Sequence, residues 1–369
     1  MLAYIARRLL LIIPTLFAIM VVNFAIIQVA PGGPVERMIA EIKGTAVEAT
    51  ARFTGGGPGE VGGAQPSAMA AAPTVSKYRG AQGLDPDLIK EIEQLYGFDK
   101  PPLERFVKMM GQYVRLDFGE SFYRDARVVD LVLEKMPVSV SLGLWSTLFI
   151  YLISIPLGIA KAVRDGSKFD VWTSGVIIVG YAVPSFLFAI LLVVLLAGGS
   201  YLDWFPLRGL VSDDWRELSL LGKIGDYFWH MALPIAALTV GGFATLTMLT
   251  KNSFLAEIHQ QYVTTARAKG LSERRVLYAH VFRNAMLIII SGMPGAFIGI
   301  LFTGALLIEV IFSLDGLGLL GFESLINRDY PVIFGTLFFF TLLGMVVKLI
   351  GDLTYVIVDP RIHFESQRT

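Results

Sequence analysis

Six long apolar runs constrain this chain more than any other feature. They fall at residues 9–30, 138–160, 171–197, 228–249, 285–308 and 332–358. About 20 such residues in a helix cross roughly 30 Å of hydrocarbon. Backbone amides find no water there, so a single run must close its own hydrogen bonds as a helix. The sequence therefore predicts an all-α integral membrane protein with six transmembrane helices. Its 369 residues are 54% hydrophobic, above the roughly 45–50% of soluble domains, and its mean hydropathy is +0.62. The lipid bilayer is the first partner implied. Lys plus Arg equal Asp plus Glu at 31 each, so net charge gives no reason to expect nucleic acid. The chain has no cysteine, which excludes disulfides, thiol nucleophiles and cysteine metal sites.

Residues 1–30 are the N-terminus and first span. A cleaved signal peptide would have an apolar core of about 7–15 residues ending at a small-residue site. This run is longer and leaves through Pro31-Gly32-Gly33-Pro34, so it is expected to be retained. Pro14, Pro156, Pro184, Pro234 and Pro294 fall in the first five runs, a density more typical of a transporter bundle than of an anchor. Residues 31–136 form an insertion between spans 1 and 2. Within it, 44–83 is rich in Gly and Ala and is expected to be flexible, because it cannot bury enough apolar surface to offset ordering entropy. Beyond it, Asp85 can cap a helix that has Pro86 first and Gly97 last, with Leu88, Ile92 and Leu95 on one face. Helices over 102–115 and 128–135 complete a partly helical domain.

Lys and Arg in short loops set orientation. Arg7, Arg8, Lys161, Arg164, Lys168, Lys251, Arg267, Lys269, Arg274, Arg275, Arg283, Arg361 and Arg368 fall on one side. Arg208, Arg216, Lys223 and Arg328 fall on the other. Both termini are thus expected in the cytoplasm and 31–136 outside. The core is 137–369, with a cytoplasmic loop at 251–283.

Phosphate-loop, zinc-protease and serine-elbow motifs are missing, and His230, His259, His280 and His363 lack metal-ligand spacing. No catalytic, cofactor or metal site is predicted, so an enzyme is not expected. Lys348 and Asp352, four apart on the last span, read as an intrahelical pair near its cytoplasmic end, with an ion relay as the alternative. Ser139, Ser141, Ser185, Thr245, Thr247 and Ser291 are candidate pathway lining, each equally able to make a helix–helix hydrogen bond.

The loop 262–283 carries the densest cationic cluster between spans. Gly270 can stop one helix, with Arg267 and Lys269 suited to its C-terminus. Ser272 can cap a second helix with Glu273 in its first turn, and Leu271 with Val276 can form a hydrophobic staple. Ala266 and Ala268 keep the first helix narrow. A solvated loop explains the charges, but two helices about a glycine turn point to docking on another protein.

The segment resembles the cytoplasmic EAA loop of permeases of binding-protein-dependent ABC importers. Tyr262, Thr264, Thr265, Ala266, Arg267, Ala268, Lys269, Gly270 and Leu271 match the variant typical of the oligopeptide, dipeptide and nickel branch, as does His280 to Ala285. Aligned on Gly270, Thr264 stands where the general motif has glutamate. Further blocks match at 96–101, 117–121, 155–158, 308–312, 316–318, 328–331 and 359–361, while Asp315 replaces a common Pro. The long insertion and the 205–209 block are most similar to oligopeptide permeases that also admit microcin C. The resemblance implies a heterodimer with a homologous second permease. It also implies ABC ATPase subunits or a fused double ATPase carrying the ATP and Mg, and a periplasmic peptide-binding protein. The site would be the bacterial inner membrane and the substrate oligopeptides, with murein peptides and microcin C-like peptides as candidates. The coupling helix around Gly270 would seat in the ATPase. The alternatives from other classes are a gradient-driven carrier or channel acting alone and a membrane-anchored enzyme or scaffold using 31–136.

Overall fold

The computed structural model describes residues 2–29, 32–43, 85–95, 97–197, 201–299 and 306–358. The Gly/Ala-rich tract, the end of the first run and the 359–361 block lie outside them. In chain order the helices are α1 (Leu2–Val29), α2 (Pro34–Ile42), α3 (Pro86–Leu95), α4 (Pro102–Tyr113), α5 (Val128–Val163), α6 (Lys168–Ala182), α7 (Ser185–Leu196), α8 (Leu220–Ile258), α9 (Gln261–Ala268), α10 (Glu273–Arg275), α11 (Phe282–Gly299), α12 (Leu306–Ile311), α13 (Leu317–Asn327) and α14 (Tyr330–Val358). A π-helical turn, Val276–Val281, joins α10 to α11. Among the described residues, five helical segments are long and apolar enough to cross a membrane, and the pair α6–α7 makes six if counted as one span.

Three spans differ from the sequence expectation. The short helix 128–135 and the span from 138 are one 36-residue helix, α5, with Pro137 and Pro156 inside it. A proline removes one donor, and membrane helices tolerate that loss where neighbours cover the freed carbonyl. The run 171–197 is not straight. Its halves α6 and α7 meet at 91°. Pro184 disfavours helical geometry in the residue before it, and Val183 is extended at φ −90° and ψ 117°. The fourth run lengthens to the 39 residues of α8, whose start is capped by Ser219 Oγ accepting from the Gly222 amide at 3.2 Å.

The chain divides into two compact units. The first comprises 1–10, 137–318 and 343–369. One of its cores joins Leu142, Met231, Ala237, Ile308 and Phe312. A second joins Ile159, Ala162, Phe254, Val263, Ala266, Val276, Val281 and Ile289. Asp352 is held by Arg8 Nη2 at 2.9 Å and by the Tyr4 hydroxyl at 3.0 Å. The expected pairing with Lys348 is therefore corrected. The start of α1 supplies closer partners, and Lys348 is exposed.

The second unit comprises 11–136 and 319–342. Helix α2 was not foreseen, although Pro34 at its first turn and the spacing of Val35, Met38 and Ile39 are a legible amphipathic signal. Val35 and Ile39 pack with Ile92 and Leu88 of α3. Asp85 caps α3 as expected, through the Asp87 amide at 2.9 Å. Two blocks about 200 residues apart meet here. Asp329 accepts from Ser121 Oγ and from the Phe122 amide at 3.1 Å, and Arg124 pairs with Glu323. Burial pushes the Asp329 carboxyl above its ordinary range, against these hydrogen bonds.

Helices α5 and α8 pack tightly at Gly158. A Cβ there would lie 2.5 Å from Thr250 Cβ and 2.9 Å from the Thr247 carbonyl oxygen. Backbone cannot swing aside, so Gly158→Ala should cost about 1–3 kcal/mol, read as a lower thermal midpoint in detergent. Gly175→Ala, with nothing within 4 Å of the added Cβ, should leave that midpoint unchanged or raise it slightly.

Candidate coupling loop and pathway surface

The loop after α8 is folded and docked rather than solvated all round. His259 and Gln260 end α8, and Gln260 is extended, which re-aims the chain into α9. α9 closes in a Schellman motif. The Gly270 amide donates to Arg267 O at 2.9 Å and the Leu271 amide to Ala266 O at 3.3 Å. This geometry needs a left-handed residue after the helix, and Gly270 supplies it at φ +77°.

Val263 and Ala266 face inward and are buried against Ile159, Ala162 and Phe254, with Tyr262 and Leu271 packed beside them. Thr264, Thr265, Arg267, Ala268, Lys269 and Gly270 are exposed. The predicted coupling residues thus split into an inward seat and an outward face. Ala266 lies in the seat, and Ala268 alone of the two small residues lies on the outward face.

Two side-chain braces hold the loop. Arg267 Nε and Nη2 reach both carboxylate oxygens of Glu273 at 2.9 and 3.0 Å, across the glycine turn. The pair is largely exposed, so it adds at most about 1 kcal/mol and serves to set the angle of the turn. Tyr262 Oη donates to Glu257 Oε2 at 2.6 Å. Ser272 takes the expected N-cap position, but its side chain makes no cap hydrogen bond. Val276 is buried as a staple residue should be, with Leu271 in the same cluster. Glu257 was missed in the sequence. Its signal was a carboxylate one residue before the helix end, with a tyrosine five residues on.

A cavity of about 430 Å³ lies among α5, α7, α8 and α11. Ser185 and Thr245 line it beside Tyr151, Gly241, Gly242 and Gly292. The wall is mostly apolar, with few hydroxyls. Ser291 is exposed and its hydroxyl is bonded to Ile288 O at 2.9 Å. Ser141 is half-buried. Ser139 and Thr247 are fully buried. Ser139 donates to Glu309 Oε1 at 3.0 Å and accepts from the Leu317 amide at 2.8 Å, while Thr247 donates to Phe243 O at 2.7 Å. Those two hydroxyls serve packing in this conformation. Glu309, itself fully buried, carries no periodicity signal that sequence reasoning could use.

Residues 154–364 match the family described as the inner membrane component of binding-protein-dependent transport systems. The chain belongs to this family. It is 63% identical to the peptidoglycan transport system permease protein YejB of Agrobacterium fabrum, over 99% of both chains. It is 57% identical to the inner membrane ABC transporter permease protein YejB of Escherichia coli O157:H7, over 99% of this chain and 100% of that one. Identity to the oligopeptide transport system permease protein AppB of Bacillus subtilis is 33%, again over 99% and 100%. This permease is therefore a multi-pass inner membrane protein, and a binding protein and an ATPase are the partner classes its family implies.

The permease's Tyr262 hydroxyl is pushed up to about 12, first by burial and then by its bond to Glu257. An unfolded tyrosine titrates near pH 10. Between those values the folded loop holds a proton that the unfolded chain has released. The stabilisation is complete below pH ~10 and is lost as pH rises through ~12. Tyr262→Phe should remove this part of the alkaline sensitivity, measured as a smaller loss of loop protection from proteolysis between pH 9 and 11.

Proposed function

We propose that the chain is one of two homologous permease subunits of an ATP-driven peptide importer. Both termini and the loop 251–283 face the cytoplasm, and residues 31–136 face outside. A periplasmic binding protein delivers peptide to the outer face. ATP and Mg act on separate ATPase subunits or a fused double ATPase, and the outward face of α9 seats in the ATPase. Peptides passing through would face the Ser185 and Thr245 wall. The names of the peptidoglycan and oligopeptide relatives support this substrate class. Murein-derived peptides fit the peptidoglycan relative's name best, and microcin C-like peptides are the second candidate.

The observation that carries this reading is the two-sided character of α9. Val263 and Ala266 anchor it to the bundle, while Thr264, Thr265, Ala268 and Lys269 are exposed on the other side. A helix so fixed presents a rigid surface that a partner can push. Thr264 takes no part in the two braces of the loop, which join Tyr262 to Glu257 and Arg267 to Glu273.

Gly270→Pro tests the role. Proline requires φ near −65° and has no amide hydrogen, whereas Gly270 has φ +77° and donates to Arg267 O. The assembled transporter carrying it should lose ATP-dependent peptide uptake in proteoliposomes. Undiminished uptake would remove the coupling role, and uptake by the chain alone without ATP would favour a gradient-driven carrier.

A further inference from the structure

A buried ion network ties together three helices beside the docked loop. Lys161, near the C-terminus of α5, is fully buried. Its ammonium donates to Asp170 O at 2.8 Å, Thr173 Oγ1 at 2.8 Å and Ser174 Oγ at 2.7 Å, and sits 2.9 Å from Asp170 Oδ1. Asp170 lies in the first turn of α6 and is 5% exposed. Its second oxygen, Oδ2, meets Lys251 of α8 at 2.7 Å and the Gly166 amide at 3.2 Å. Lys251 also pairs with the half-exposed Asp165 at 2.8 Å. One carboxylate thus bridges two lysines from two other helices.

Such a network is a poor device for stability alone. Desolvating these charges costs about as much as their attraction returns, and apolar packing of similar volume often does as well. What it does supply is directional rigidity. Lys161 has its three ammonium donors pointed at three acceptors on one helix end, so α6 cannot slide or turn against α5 without stranding a buried charge. Lys251 imposes the same condition on α8.

Both ends of this clamp lead somewhere. In one direction, α8 continues without a break from Lys251 to Ile258 and then to α9, whose Val263 and Ala266 pack on Ile159, Ala162 and Phe254. In the other direction, α6 runs 15 residues, about 22 Å, to the bend at Val183–Pro184. The first residue past the bend is Ser185, which lies on Gly241 of α8 and lines the 430 Å³ cavity. We infer that Asp170, held by Lys161 and Lys251, is the positioning residue that makes α5, α6 and α8 move with α9 as one body, carrying displacement of the docked loop to the bend beside the pathway. The inference rests on the coupling role proposed for the loop around Gly270. The sequence showed Lys161 and Lys251 only as charges that set orientation, and nothing in it singled out Asp170.

The test uses the complete transporter with its ATPase and binding protein in proteoliposomes. Lys251→Met cuts the tie to α8 and leaves the Lys161–Asp170 contacts in place. It should lower the peptide carried per ATP hydrolysed several-fold, with ATP hydrolysis retained, and Lys251→Arg should restore most of the ratio. Asp165→Asn, at the exposed edge of the network, should leave the ratio near that of the unaltered transporter. A ratio unchanged in Lys251→Met, or lowered equally by Asp165→Asn, overturns the inference. If Gly270→Pro nonetheless abolishes uptake, the coupling role of the loop stands without it. If Gly270→Pro is also without effect, that role itself fails. Where Lys251→Met assembles poorly, spin labels on Lys168→Cys and Gln261→Cys give a second measure in this naturally cysteine-free chain. Their separation, measured with Lys251 present, should stay fixed on ATP binding. A separation that already changes with Lys251 present shows that α6 and α9 are not one body.

Discussion

Backbone hydrogen bonds have no outside partner in hydrocarbon, and this permease is shaped by that fact. Each apolar run is committed to helix, and every departure from helix has to be covered by protein. Two departures stand out among the described residues. α6 breaks from α7 at Pro184, with Ser185 against α8 just past the bend. The π turn at Val276–Val281 lies where the chain returns from the docked loop, with Val276 and Val281 buried in the core that also receives α9. Turns of this kind are frequent at functional sites because the extra residue can shift along the helix.

Buried polar groups follow the same logic. Ser139 joins Glu309 to the Leu317 amide at the start of α13, and Asp329 gathers Ser121 and the Phe122 amide. Each links a helix end to a residue far away in sequence. A helix end leaves amides unpaired, and inside protein a side chain has to supply the acceptor. Short blocks such as 117–121 and 328–331 are thus the two halves of one contact.

Hydrophobic periodicity made the spans legible, and the glycine stop made the docked loop legible, because both follow from local backbone physics. Helix ends were less legible. Pro137 reads as a break and lies inside α5, whereas Pro184 reads the same and does break its run. Tertiary covering of the freed carbonyl decides between the two cases, and it leaves no local trace. The partners of charged groups were hidden for a similar reason. Lys348 and Asp352 share a helix face, yet Asp352 binds Arg8 and Tyr4. Among the lining candidates, the sequence could not separate Ser185 and Thr245, which border the cavity, from Ser139 and Thr247, which are locked in packing.

Helix α8 has 39 residues, or about 58 Å at 1.5 Å per residue, nearly twice the hydrocarbon thickness. A rod of that length turns angle into distance. Tilting it by about 5° at one end carries the other roughly 5 Å, about one helical pitch, with no change in any of its own hydrogen bonds. The loop at its end can therefore travel far while the helix stays intact, and the slack has to be taken up at the bend of α6–α7 and at the π turn.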